Sequence, residues 1–303
     1  MPKLKNKIEN TLWDVFDIWG NNMLHLPRGI FDEPYFVQQQ GFSTLDLNFK
    51  KGNDLSTSLQ QVVYDPNKID EDITVVVQSC DDYEKFWEGW YMSFERYWNW
   101  DLNWPILFCT ETKEPDFKNK NISILTNPEQ KGKNKFSSRL IDILENVKTK
   151  YVLYLQEDMW PILPVNFTVF KKSLNKIRKN DWNCIRLHEK IWFDYKLQKT
   201  NQFIKNKRIL KVLNHSDWLM THNAAIWNKD FLLKNSELDQ DPWEHEIKGT
   251  LNISRNIDPK IYHLNERWYY QPGASQNGQF NGYMQEYLRD LKLAKELEDA
   301  FDS

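Results

Sequence analysis

Ile73-Thr74-Val75-Val76-Val77-Gln78 is the segment that most constrains what this chain can become. A β-branched apolar run without polar alternation suits a strand buried on both faces, and such a strand needs a layer of helices on each side. It ends in Ser79-Cys80-Asp81-Asp82, and an aromatic helix is predicted from Phe86 to Trp98. Further strands are predicted from Trp104 to Cys109 and from Ile122 to Leu125. Leu140, Ile141, Leu144 and Val147 mark one face of a helix that Ser137 or Ser138 would cap. Tyr151 to Leu155 is a fourth strand, running into Gln156-Glu157-Asp158, followed by a helix from Phe167 to Ile177 and a strand from Asn183 to Leu187. This alternation predicts an α/β fold, a Rossmann-type and mostly parallel sheet flanked by helices. Ligands of such sheets bind at the carboxyl ends of the strands, and both acidic pairs, Asp81-Asp82 and Glu157-Asp158, fall at that edge.

Outside this pattern the signals are sparser. Residues 1–70 carry a possible helix from Ile8 to Trp19 and many aromatics, and are read as an N-terminal extension packed on a main domain spanning 71–282. Trp218 to Trp227 reads as a strand pair or a loop entering the site. Asp241-Pro242-Trp243-Glu244 has the form of a helix start, with a capping Asp, Pro at the first position and Glu at the third. Residues 283–303 form an amphipathic C-terminal helix striped by Met284, Tyr287, Leu288, Leu291, Leu297 and Phe301. Docking on its own domain is the first reading of that stripe, and a homodimer the second.

Composition excludes some function classes. Forty Lys+Arg against 43 Asp+Glu, a net charge of −3, leave no broad electrostatic footprint for nucleic acid or anionic membrane. No run of about 18 apolar residues predicts a transmembrane segment. Asp14 and Asp17 break any apolar stretch near the start, so no signal peptide is expected. Three cysteines (Cys80, Cys109 and Cys184) in no paired spacing argue against a disulfide framework. A cytoplasmic protein is expected. The Asn-x-Ser/Thr patterns at Asn121, Asn166, Asn214 and Asn252 are then chance in an Asn-rich chain.

Two carboxylates at the end of a buried strand need a cation, hydrogen bonds or solvent to compensate them. Glu157 and Asp158 would suit Mn²⁺ or Mg²⁺, which take oxygen ligands and bind where carboxylates meet phosphates, or would form an acidic turn facing water. Arg139 falls in the first turn of its helix, where the helix dipole disfavours a cation. Phosphate or the Glu157-Asp158 cluster would explain it, and a plain surface arginine is the alternative. Lys131-Gly132-Lys133-Asn134-Lys135 is a short basic loop, either solvated or facing a diphosphate.

Residues 72–87 resemble the opening strand and loop of a group of GT-A-fold glycosyltransferases of bacterial and viral polysaccharide synthesis. Residues 137–140 and 150–158 are similar to that group's helix and metal-motif strand, and 223–232 and 242–246 to its acceptor-side segments, in the same order. The resemblance implies a GT-A-like domain and transfer of a sugar from a nucleotide-sugar donor to a saccharide or other hydroxyl acceptor. It implies that Ser79, Cys80 and Asp81 line the nucleotide pocket together with Arg139, Glu157 and Asp158, and that His263 could complete a metal site with Glu157 and Asp158. In one departure Gln156 stands where the first Asp of an Asp-x-Asp motif is expected, which leaves metal-dependent and metal-independent sites both open. An inverting transferase needs a carboxylate to take the acceptor's proton. Glu246 and Glu244 compete for that duty, and Glu246 is preferred because the capping box already accounts for Glu244. Trp160, Trp243 and His222 are the acceptor-side candidates, with core packing as the plain alternative for each. A nucleotidyltransferase would share the strand-end carboxylates but would need a Gly-rich phosphate loop after the first strand, which Ser79 to Asp82 does not supply. A carbohydrate-binding protein without catalysis is the alternative from another class.

Overall fold

In this computed structural model, residues 72–189, 196–271 and 273–302 are described. All lie in the second of the chain's two units, Gln61–Ser303. The expected extension over 1–70 and its helix lie outside the described residues.

The N-terminal half of this unit alternates as its hydrophobic pattern predicts. β1 (Ile73–Gln78) leads through α1 (Glu84–Tyr97) to β2 (Ile106–Thr110) and β3 (Ile122–Thr126). α2 (Phe136–Asn146) then leads to β4 (Tyr151–Gln156), and α3 (Phe167–Asn180) to β5 (Cys184–His188). After these come β6 (Leu197–Ile204), β7 (Lys207–Val212), β8 (Ala225–Asn228), α4 (Lys229–Lys234), α5 (Pro242–Ser254) and β9 (Ile261–Asn265). A small hairpin, β10 (Ser275–Gln276) with β11 (Gln279–Phe280), precedes α6 (Met284–Asp302).

Among the described residues, nine strands form one sheet in the order β3-β2-β1-β4-β8-β5-β9-β7-β6. β1 pairs in parallel with both β2 and β4, β2 with β3, and β5 with β9. β8 and β7 run against their neighbours, so the other seven strands point one way. The expected α/β class with a mostly parallel sheet is what the structure has. From β1 the chain moves outward to β2 and β3, and α2 then returns it to β4 on the opposite side of β1. The carboxyl ends of β1 and β4 therefore flank a topological switch point, where open α/β sheets form a crevice.

Successive residues of each strand face opposite layers. Phe108 of β2 meets Trp87 and Trp90 of α1, while its neighbour Cys109 joins Val76, Tyr154 and the Leu140, Ile143 and Leu144 face of α2. Phe86, Trp90 and Phe94 of α1 are fully buried, each contributing about 1.5–3 kcal/mol of apolar transfer. α6 docks on α1, with Met284, Tyr287 and Leu291 buried and Lys292 bonded to Glu88 at 2.6 Å. The stripe fades at Leu288 and Leu297, which are half-buried, and the side chain of Phe301 lies outside the described residues.

Two expectations are corrected. Neither Ser137 nor Ser138 caps α2, which starts one residue earlier without a side-chain cap. Ser137 Oγ instead accepts from the Gln240 amide, and Ser138 exchanges two hydrogen bonds with Asp239, all at 2.9 Å, so α2 is tied to the segment that leads into α5. Only the last three residues of the Trp218-to-Trp227 region form a strand, together with Asn228, and this strand, Ala225–Asn228, runs antiparallel between β4 and β5.

Candidate functional site

The switch point is built from the last residues of β1 and β4, where Gln78 and Gln156 are partners in register. The Gln78 amide donates to the Phe136 carbonyl at 2.8 Å and its oxygen accepts from Tyr154 Oη at 2.9 Å, so one buried side chain joins both strands to the start of α2. The strand ends are thereby held rigidly beneath Ser79 and Glu157. Ser79 is buried and its hydroxyl accepts from Trp87 Nε1 at 2.6 Å. Cys80 is half-buried, and burial with the nearby Glu157 pushes its thiol up to about 12, so it is not a nucleophile at neutral pH.

Glu157 is buried and Asp158 half-buried. Burial raises both above the ordinary carboxyl range, and for Glu157 the neighbouring Asp158 charge adds to it. Hydrogen bonding from Ser79 and the Arg139 charge oppose the rise at Glu157, and the Ser275 hydroxyl, 3.2 Å from Oδ2, opposes it at Asp158. The turn before β10 closes onto the same residue, with the Ala274 amide donating to the Asp158 carbonyl at 2.7 Å. Gly273, at φ +131°, lies against the carboxylate. A buried carboxylate beside a half-buried one, with no full counter-charge against them, is what a cationic ligand would complete.

Asp81 is differently placed. Its carboxylate accepts from the Thr112 and Lys113 amides at 3.0 and 3.1 Å and from the Thr112 hydroxyl. Burial pushes its pKa up, but the Thr112 and Lys113 hydrogen bonds outweigh that and hold it at about 2. The Asp81 amide in turn donates to Glu111 Oε2 at 3.1 Å. Glu111 also accepts from the Gly132 amide at 2.8 Å and from Arg139 Nη1 at 2.7 Å. The partner of Arg139 is thus Glu111, in a buried ion pair, and not the Glu157-Asp158 cluster. Arg139 also donates to the Gln130 carbonyl at 2.6 Å, which fixes the basic loop beside Asp81. Lys131, Lys133 and Lys135 of that loop pair with Asp81, Asp241 and Asp239.

α5 begins with the expected capping box. The Glu244 amide donates to Asp241 Oδ1 at 2.9 Å and the Asp241 amide to Glu244 Oε2 at 3.2 Å. Glu244 is exposed. Glu246 turns inward, its side chain 13% exposed, and Oε1 accepts from the His222 amide at 2.7 Å. Burial raises its carboxyl to about 7, against the His222 amide, the Thr221 hydroxyl and the Arg186 charge. A carboxylate that titrates near neutrality is suited to general-base work.

Other expected residues fall elsewhere. His263 lies within β9, in register with Arg186 and Leu210, its ring 4.9 Å from that of His188. Three strand spacings separate β9 from β4, about 14 Å, so His263 does not complete a metal site with Glu157 and Asp158. Trp160 is fully buried, donates to the Glu157 carbonyl at 3.0 Å and packs over Gly89, which excludes it as an exposed sugar platform. His222 is buried against Phe136 and His245, which removes it from direct acceptor contact. Trp243 is 62% exposed and meets Trp218 edge-on at 6.3 Å. Among the described residues, no group of three or more His, Cys, Asp or Glu side chains is placed to hold a metal. Glu157 and Asp158 alone fit Mn²⁺ or Mg²⁺ only if phosphate oxygens supply further ligands, as these ions commonly accept. Sequence reasoning missed Glu111, Thr112, Gly273 and Ser275. Only Gly273, next to Pro272 in an aromatic stretch, carried a local turn signal.

No protein-family model matches the chain, and no curated protein matches it in sequence. Solved structures are similar to it at low identity. S. aureus TarS (residues 1–349) in complex with UDP-GlcNAc aligns with a TM-score of 0.45 and 13% identity, covering 70% of this chain and 60% of that one. Another S. aureus TarS crystal structure aligns with a TM-score of 0.44 and 13% identity, over 65% of this chain and 36% of that one. CMP:2-keto-3-deoxy-manno-octonic acid synthetase complexed with CTP aligns with a TM-score of 0.42 and 13% identity, over 74% of this chain and 99% of that one. The chain thus spans 36% to 60% of the length of these TarS chains.

Proposed function

We propose that this chain is a glycosyltransferase that takes a sugar from a nucleoside-diphosphate donor and passes it to a saccharide or other hydroxyl acceptor. The observation that carries this reading is the Glu157–Asp158 pair at the β1/β4 switch point, Glu157 buried and Asp158 half-buried, with both carboxyl groups raised. The ordered resemblance of residues 72–250 to GT-A-fold glycosyltransferases supports it. Ser79, Cys80 and the backbone around Asp81 would line the nucleotide, since the Asp81 carboxylate is already engaged by Thr112 and Lys113. Glu157 and Asp158 would hold Mn²⁺ or Mg²⁺ together with donor phosphate oxygens. The ion would supply charge neutralisation for the departing nucleoside diphosphate. Arg139 would act through Glu111 and the 130–135 loop, setting the wall on which the diphosphate rests, and not as a direct phosphate ligand. Glu246 would take the proton of the acceptor hydroxyl as the oxygen attacks the anomeric carbon, which is inverting chemistry. The exposed Trp243, on the same helix, with the half-buried Trp218 against it, would meet the acceptor.

Release of free UDP, GDP or dTDP from the corresponding nucleotide sugars, with Mn²⁺ and with EDTA, tests this reading. Turnover is expected with one base, lost by orders of magnitude in Asp158→Asn while thermal stability holds. Sugar binding without turnover of any donor would replace the enzyme with a carbohydrate-binding protein, and pyrophosphate chemistry would replace it with a nucleotidyltransferase. Unchanged turnover in EDTA would remove the metal alone.

A further inference from the structure

Glu246 is flanked by a row of polar groups, two buried histidines and a half-buried serine, that neither the capping box nor the donor site explains. His222 Nε2 lies 2.8 Å from His245 Nδ1, with the two rings within 6° of coplanar, and His245 Nε2 lies 2.9 Å from Ser236 Oγ. Ser236 Oγ lies 2.9 Å from the Leu232 carbonyl one turn back in the chain. The other nitrogen of His222, Nδ1, is 3.8 Å from Glu246 Oε1. Burial lowers the pKa of both rings, His245 to about 4 and His222 well below the ordinary range, so each is a neutral imidazole with one N–H and one lone pair.

The hydrogen bonds then order the protons from one end. Ser236 gives its single proton to the Leu232 carbonyl, the usual bond of a serine one turn beyond a helical carbonyl. Its oxygen must accept from His245 Nε2–H, which leaves His245 Nδ1 as a lone pair. His222 Nε2–H donates to that lone pair, so His222 Nδ1 carries no proton and turns a lone pair towards Glu246. A lone pair beside a carboxylate disfavours the charged form and favours the protonated one.

We propose that Ser236 and His245 are positioning residues that hold His222 in the Nε2–H form, so that its unprotonated Nδ1 faces Glu246 and disfavours charge on that carboxylate. The proposal rests on the reading of Glu246 as the base. The other groups facing Glu246 are the Thr221 hydroxyl and the His222 amide, Arg186 on β5 and, across His222, Tyr154 on β4. Glu237 faces His245. None of these changes when the far end of the row is altered.

Ser236→Ala is the test, because it sits at that far end. Without the hydroxyl, His245 Nε2–H loses its acceptor and the row reverses. His245 then donates through Nδ1, and His222 Nδ1–H points at the Glu246 carboxylate and stabilises its charge. Long-range ¹⁵N spectra of the histidines in the full chain should show His222 and His245 as Nε2–H in the wild type and as Nδ1–H in Ser236→Ala. The ¹³C-carboxyl midpoint of Glu246, near 7 in the wild type, should fall by about one pH unit, a tenfold change in its proton affinity. Ser236→Thr should restore both signals. An Nδ1–H form of His222 in the wild type overturns the proposal, and that measurement needs no variant to fold. A reversed row with an unmoved Glu246 midpoint also overturns it. Normal nucleotide-sugar turnover in Glu246→Gln would instead sink the base reading and leave the tautomer result standing.

Discussion

Gly273 lies so close to Asp158 that a β-carbon on it would stand 2.6 Å from Oδ2. At φ +131° its backbone is also in a region that only glycine occupies without strain. The turn ahead of β10 thus fixes Asp158 by close approach, with Ser275 and the Ala274 amide adding hydrogen bonds. Gly273→Ala should displace the carboxylate and cost about 1–3 kcal/mol of stability. Nucleoside-diphosphate binding, followed by calorimetry, should weaken with it. Gly278→Ala at the tip of the same hairpin, φ +70° with open space around it, should cost stability only and leave binding intact. Equal losses of binding in the two variants would sever the turn from the site.

The raised carboxyls predict how stability follows pH. Glu157, Asp158 and Glu246 bind protons more tightly folded than unfolded, so the folded state holds more protons between the ordinary carboxyl range and their raised values. Their contribution is fully present below the unfolded values and is lost as pH rises through the raised values, about 7 for Glu246. Asp81, held at about 2, acts in the opposite sense, and its contribution is lost only as pH falls through that value. Denaturant midpoints should therefore decline from pH 5 to pH 8 in the ligand-free protein. Glu246→Gln should flatten the decline by roughly 2–3 kcal/mol, the scale set by its shift at about 1.4 kcal/mol per unit. A variant that tracks the wild type across this range would show that Glu246 ionises freely.

The Arg139–Glu111 pair predicts a structural phenotype in place of a phosphate-binding one. Both side chains are nearly inaccessible, and Glu111 also holds the Asp81 and Gly132 amides. Arg139→Met strands a buried carboxylate and should cost about 3–5 kcal/mol in urea unfolding. Glu111→Gln keeps acceptor and shape but leaves the guanidinium without a counter-charge, so it too should be costly. The double variant Glu111→Gln, Arg139→Met should recover part of the loss. A stable Arg139→Met that fails only in nucleotide binding would return Arg139 to the phosphate.

The strands near the site were legible because β1, β2 and β4 are apolar runs whose period and length leave few alternatives, while their order in the sheet was not. The capping box of α5 was legible because its three residues act locally. β6 was not: Gln198, Lys199 and Asn201 face water and Thr200 and Gln202 are only half-buried on a peripheral hairpin, and pairing with β7 makes the strand. Arg139 showed an anionic need in the sequence, yet its partner lies 28 positions away at the end of β2, where no local pattern marks Glu111. His263 failed for the same reason in reverse, because the residues around it do not say which of the nine strands the chain returns to. Trp160 and His222 were drawn inward by packing that their neighbours in sequence do not reveal.

Glu244 and Glu246 stand two residues apart with opposite assignments, and their Gln variants separate them. Glu244 is exposed and its Oε2 accepts from the Asp241 amide at 3.2 Å, a bond that a glutamine oxygen can keep. Glu244→Gln should change stability by well under about 1 kcal/mol and leave turnover nearly intact. Glu246 is turned inward and titrates near neutrality, and a glutamine there keeps the hydrogen bond from the His222 amide while removing the proton acceptor. Because the buried charge is also removed, Glu246→Gln should be as stable as the wild type at pH 7 or more so. Its turnover at saturating donor and acceptor should fall roughly 10²–10⁴-fold with donor affinity preserved, the pattern of a group acting only in the transition state. In the wild type the rate should rise with pH through about 7, and the residual rate of Glu246→Gln should lose that limb. A collapse in Glu244→Gln beside normal turnover in Glu246→Gln would exchange the two roles.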